Sequence, residues 1–89
     1  THPETGHQSI FVDAPHTTGF EGVSKEESAP LLKFLFQHCI RPEFTCRFRW
    51  EKGAVAFWDN RCLLHYALND YCGQRRYLER VTIGGQRPQ

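Results

Sequence analysis

Five histidines, at positions 2, 7, 16, 38 and 65, are the side chains of this 89-residue sequence best suited to bind a metal or to move a proton near neutral pH. A histidine taken alone is more often a satisfied structural residue than a ligand, so its surroundings have to single it out. His65 follows an apolar run that ends in Trp58-Asp59-Asn60-Arg61, and it stands eleven residues before Arg76. Arg76 and Arg80 are four apart. In a strand of period 2 they share a face with Leu78, while Tyr77, Glu79 and Val81 take the other. A guanidinium is a planar fork that matches a carboxylate or sulfonate, so one histidine and two arginines on neighbouring segments suggest a pocket for a metal and a dianion. On spacing alone, the competing reading of both arginines as ordinary solvated strand residues is the favoured one.

The cysteines suggest no further site. Cys39, Cys46, Cys62 and Cys72 form no C-x-x-C pair and no zinc-ribbon spacing. Two disulfides in three connectivities are arithmetically open, but the favoured reading is free thiols, buried or idle. Eleven Lys and Arg against ten Asp and Glu leave a net charge of +1, which gives no bulk attraction to nucleic acid or to a membrane surface. The apolar runs are too short to span a bilayer, and Thr1-His2-Pro3-Glu4 is no signal peptide, so a soluble, cytoplasmic protein is expected. With 39% apolar residues, including seven Phe, three Tyr and two Trp, the chain reads as globular material with a modest core. It contains no methionine, so the expectation is a processed chain or a piece of a longer one.

The elements that would position these residues are mostly strands. Gln8 to Val12 reads as a short strand leaving through Asp13-Ala14-Pro15. Ser24 and Glu27 form a capping-box pattern, and Ala29, Leu31, Leu32, Leu35, Phe36 and Cys39 recur at helical spacing, which predicts one amphipathic helix ending before Pro42. Pro30 suits that start poorly, so either the first turn is distorted or the helix is capped later, at Ser28. Phe44, Cys46, Phe48 and Trp50 alternate with polar residues as in a half-buried strand. Glu51-Lys52-Gly53 then turns the chain into a second strand, Ala54 to Trp58, and a last strand runs from Arg76 to Ile83. The expected architecture is mainly β with one amphipathic helix, about half the strands of a jelly roll.

Beyond these patterns, the residues resemble a family. Phe57-Trp58-Asp59-Asn60-Arg61-Cys62-Leu63-Leu64-His65-Tyr66-Ala67, Asp70-Tyr71, Gln74-Arg75-Arg76 and Arg80-Val81-Thr82-Ile83 look like the C-terminal third of the taurine dioxygenase family. The likeness continues upstream through Arg47-Phe48-Arg49-Trp50, Arg41-Pro42-Glu43-Phe44, the helix, Thr17-Thr18 and Thr1-His2-Pro3-Glu4-Thr5-Gly6. It implies an enzyme dependent on Fe(II), 2-oxoglutarate and O2, and residues 1–89 as the C-terminal portion of a single dioxygenase domain, an incomplete double-stranded β-helix. His65 would be the distal histidine of a 2-His-1-carboxylate iron site. Arg76 would bind the distal carboxylate of 2-oxoglutarate and Arg80 the anionic group of the substrate. Asp59, Asn60 and Tyr66 would support the loop around His65.

The other two ligands would come from an H-x-D or H-x-E motif. His2-Pro3-Glu4 has that form but matches a family segment well downstream of the motif, and a proline sits badly between ligands on a central strand. The pair is therefore expected before Thr1, in a missing N-terminal part of the same domain. His16 stands where the taurine enzymes usually have a pocket-lining Phe, which counts against taurine itself, and Gly19, Leu63-Leu64 and Glu79 are further departures. The implied activity is hydroxylation of a small anionic substrate, such as taurine or another alkyl sulfonate, with release of sulfite, succinate and CO2. An alkyl sulfate or aryloxy acid in its place, or an inactive piece that acts only by pairing with a partner, are the alternatives. By itself the chain is expected to be inactive, and self-association stays open.

Overall fold

Ser24 starts the one α-helix, α1 (Lys25–Cys39), in a computed structural model that describes residues 1–89. Its hydroxyl accepts from the Glu27 N–H at 3.2 Å, and the Glu27 carboxylate accepts from the Ser24 N–H at 3.3 Å. The capping box is therefore closed in both directions. The hydrogen bond from the Ser24 hydroxyl, more than that from its N–H, holds the Glu27 carboxyl below its ordinary range. This is the earlier of the two expected starts. Pro30 lies inside the helix as its sixth residue, where it has no N–H to offer the Glu26 carbonyl.

The covered face of α1 follows its periodicity. Ser28 and Leu32 are buried, and Leu35, Phe36 and Cys39 are half-buried. Ser28 is satisfied there, because its hydroxyl accepts from the Phe20 N–H at 3.3 Å. The helix ends before Pro42 as expected, and a 3-10 turn, Pro42–Phe44, follows. His38, in the last turn of α1, stacks on Phe34 and meets Phe44 at a centroid distance of 5.0 Å.

Two compact units divide the chain, Ile10–Trp58 with α1, and Thr1–Ser9 together with Asp59–Gln89. The expected mainly β architecture is not formed. No strand and no sheet occur, and the segments 8–12, 44–50, 54–58 and 76–83 run without a ladder. The turn between the second and third of these does form, with the Ala54 N–H bonded to the Glu51 carbonyl at 3.0 Å and Gly53 at a φ of +82°. Turn chemistry alone does not make a hairpin. A lone pair of strands is marginal in water without a third strand or a packed face to cover it. The faces here are uncovered, with Phe57 88% and Val81 90% exposed, so a ladder would gain little burial.

The alternation itself survives locally. Phe48 and Trp50 meet edge to face with centroids 4.9 Å apart, and Ala54, Ala56 and Trp58 are half-buried while Val55 and Phe57 are exposed. All four cysteines are free, Cys39 half-buried and the others exposed. No helix is long and apolar enough to cross a membrane.

Candidate functional site

The most densely bonded residues of the unit that contains His65 surround the carboxylate of Asp59. Its Oδ1 accepts from the backbone N–H of Arg61 at 2.8 Å and from Arg61 Nε at 2.9 Å, and its Oδ2 accepts from Arg61 Nη2 at 2.7 Å. The remaining arm of the same guanidinium, Nη1, donates to Glu4 Oε1 at 2.9 Å. His2 completes the group, with Nε2 3.1 Å from Asp59 Oδ2. The backbone N–H groups of Glu4 and Thr5 both point at His2 Nδ1, at 3.3 Å each, so Nδ1 is the acceptor and Nε2 carries the proton donated to Asp59. Hydrogen bonds from the Arg61 side chain, then its backbone, then His2 hold the Asp59 carboxyl far below the ordinary carboxylate range. The bonds to Asp59 and Glu4 raise Arg61 in return.

Asp59 also closes the backbone that follows it. Its carbonyl accepts from the N–H of Cys62 at 3.3 Å and of Leu63 at 3.1 Å. His65, two residues further on, is exposed and takes part in an interaction of its own.

Arg76 and Arg80 lie in the same unit and are exposed. Arg76 stands over the ring of Tyr71, 5.9 Å from its centroid, and neither arginine is engaged by a carboxylate. The opposite register is knit together, because Arg75 lies over Tyr77 and the Tyr77 hydroxyl donates to Glu79 at 2.9 Å. Glu79 thus finds a tyrosine rather than an arginine. His16 belongs to the other unit, where Nδ1 bonds Asp13 Oδ2 at 2.6 Å and its backbone N–H meets Asp13 Oδ1. That contact with His16 is the main cause of a lowered Asp13 carboxyl.

Sequence reasoning missed the bridge from His2 and Glu4 to Asp59 and Arg61. The partners are 57 positions apart, and no periodicity connects them. The one available signal was complementary charge.

One group of metal-binding residue types gathers, His2, Asp59 and Cys62, with donor atoms within 4.8 Å of one another. A cation there would have to displace the Arg61 guanidinium from Asp59 and the proton from His2 Nε2, so the group reads as an ion-paired clasp. His65 is not part of it.

The model of the taurine catabolism dioxygenase TauD, TfdA family matches residues 1–82. The chain belongs to this family. The matched span includes His65, Arg76 and Arg80. Over 85 residues the chain is 40% identical to the alkylsulfatase of Acinetobacter baylyi, covering 96% of this chain and 26% of that protein. It is 40% identical over 87 residues to an alpha-ketoglutarate-dependent sulfate ester dioxygenase of Pseudomonas putida, covering 98% and 29%. An alpha-ketoglutarate-dependent 2,4-dichlorophenoxyacetate dioxygenase of a Burkholderia species is 37% identical over 87 residues, covering 98% and 29%. The chain thus spans between a quarter and a third of the length of these TauD, TfdA family relatives. No solved structure matches it.

Proposed function

We propose that residues 1–89 form the C-terminal portion of an Fe(II)- and 2-oxoglutarate-dependent dioxygenase domain that oxidises a small anionic organic substrate. The observation that carries this reading is the family match over residues 1–82, which takes in a histidine followed by two arginines that no carboxylate engages. Bound iron would supply the oxidation of a substrate C–H bond by O2, coupled to the conversion of 2-oxoglutarate to succinate and CO2. His65 would give one imidazole nitrogen to that iron. Arg76 would hold the far carboxylate of 2-oxoglutarate through two parallel N–H bonds, and Tyr71 beneath its guanidinium would limit how that fork swings. Arg80 would meet the sulfonate or sulfate of the substrate. Orientation of cosubstrate and substrate, together with exclusion of water, is then the contribution of these side chains.

The remaining ligands would come from a part of the same domain outside this chain, since the relatives are three to four times as long. Alkyl sulfonates such as taurine are one substrate class that the family description supports. An alkyl sulfate is the second, favoured by the names of two of the relatives. Incubating the full-length protein with Fe(II), 2-oxoglutarate and O2 tests both. Substrate-dependent succinate with sulfite identifies a sulfonate, succinate with sulfate and aldehyde an alkyl sulfate, and succinate with phenol an aryloxy acid. Failure to bind Fe(II) and 2-oxoglutarate together would refute the reading.

A further inference from the structure

We propose that His2 is a positioning residue for His65, acting through Asp59 in a clasp that pins the turn 59–63 to the segment 2–5. The proposal rests on the reading of His65 as an iron ligand and goes beyond it, because it gives a task to a residue that would touch neither iron nor substrate. A histidine two residues beyond a turn takes part of its placement from that turn, beside the interaction that His65 makes on its own account. Asp59 holds this turn from two sides, its side chain fixing the N–H of Arg61 while its carbonyl fixes the N–H groups of Cys62 and Leu63.

Arg61 and Asp59 both tie that turn to the segment 2–5. Arg61 Nη1 to Glu4 is the outer tie, with Glu4 69% exposed. His2 Nε2 to Asp59 is the inner one, with the His2 side chain only 11% exposed. Shielding and the fixed tautomer make His2 the stronger tie. A neutral imidazole held at Nδ1 by two backbone N–H groups presents a single donor in a single direction, and Asp59 is what it reaches. Without that donor the turn keeps its internal bonds and loses its inner anchor. His65 would then sample a wider range of positions, and a metal site tolerates little of that.

The test uses the full-length protein and two readouts. One is Fe(II) affinity, followed by the visible charge-transfer band of the iron complex with 2-oxoglutarate. The other is amide hydrogen exchange over residues 62–66 without iron. His2→Ala should weaken Fe(II) binding about tenfold, the lower end of what loss of a supporting hydrogen bond costs a metal site, and should speed exchange over 62–66. His2→Gln, which can still aim an N–H at Asp59, should recover most of both. Asp59→Asn should act like His2→Ala or more strongly. Unchanged affinity and exchange in His2→Ala would overturn the proposal, and so would a His2→Gln protein no better than His2→Ala. His65→Ala separates the two readings. If it abolishes Fe(II) binding while the His2 and Asp59 variants keep theirs, the clasp proposal fails and the iron reading stands. If His65→Ala binds iron normally, the iron reading fails and takes the proposal with it.

Discussion

Asp59 and Arg61, two positions apart, chelate one another, since the carboxylate accepts both the backbone N–H and the guanidinium of the same arginine. Lysine in place of Arg61 keeps the charge but has no fork to span Asp59 and Glu4 together. Arg61→Lys is therefore expected to return the Asp59 carboxyl part of the way towards its ordinary value and to expose the Cys62 and Leu63 amides to faster exchange. An NMR titration of Asp59 with amide exchange checks this, and an unmoved carboxyl would show that Arg61 is not its main partner.

The same carboxyl fixes a direction for pH dependence. Its pKa is depressed in the folded chain, so its contribution to stability is complete above the ordinary value of 3.8 and is lost as pH falls below it towards the depressed value. The part of the turn 59–63 that Asp59 holds should loosen as pH falls below that ordinary value. Asp59→Asn should remove this part of the acid dependence. Amide exchange of Leu63 against pH measures it, and identical profiles for the two proteins would contradict the assignment.

Pro30 offers a test of the helix. As the sixth residue of α1 it leaves the Glu26 carbonyl without its helical partner, and a helix-interior proline costs about 3 kcal/mol relative to alanine. Pro30→Ala should raise helicity and stability by about 1 kcal/mol or more, less than the full value because the site lies near the helix start. Ser24→Ala should move stability the other way by about 1 kcal/mol through loss of the cap. Circular dichroism during thermal unfolding reads both, and a destabilised Pro30→Ala would show that the proline is needed where it is.

What was legible in the sequence was local. The Ser24 cap, the stop before Pro42, the turn at Gly53 and the i, i+2 pairing of Phe48 with Trp50 each depend on residues a few positions apart, and each is present. The β-sheet was not legible in the same sense, because alternation shows which side chains share a face and does not supply the neighbouring strand that a ladder needs. Val55, Phe57 and Val81 keep their strand-forming character with nothing against them. At the candidate site the limit is similar. His65, Arg76 and Arg80 were singled out by the family resemblance rather than by spacing alone, whereas the tie from His2 to Asp59 joins two ends of the sequence that only folding brings together.

Arg76 and Arg80 should fail in different ways if they serve different anions. Arg76→Ala should raise the KM for 2-oxoglutarate about tenfold or more, because a charge-assisted hydrogen bond contributes roughly 1.5–3 kcal/mol and 1.4 kcal/mol is a factor of ten. Arg80→Ala should raise the KM for the sulfonate or sulfate by a similar factor and leave that for 2-oxoglutarate unchanged. Steady-state kinetics in each substrate separates them, and a common effect on both constants would mean that the two arginines share one anion.

His16 would decide among substrates rather than between substrate and cosubstrate. Its ring is bonded to Asp13 at 2.6 Å, which fixes the orientation of a polar group where the resemblance places a pocket-lining phenylalanine. A polar wall that hydrogen-bonds one substrate favours it over an analogue lacking the matching group, whereas an apolar wall discriminates by size alone, worth roughly 1–3 kcal/mol. His16→Phe should therefore shift the ratio of kcat/KM between an alkyl sulfate and an alkyl sulfonate of equal chain length by about tenfold, in favour of the less polar contact, with the KM for 2-oxoglutarate unchanged. Asp13→Asn weakens the same hydrogen bond without changing the size of the wall, so it should move the ratio in the same direction by less. A ratio that neither substitution changes would place His16 away from the substrate.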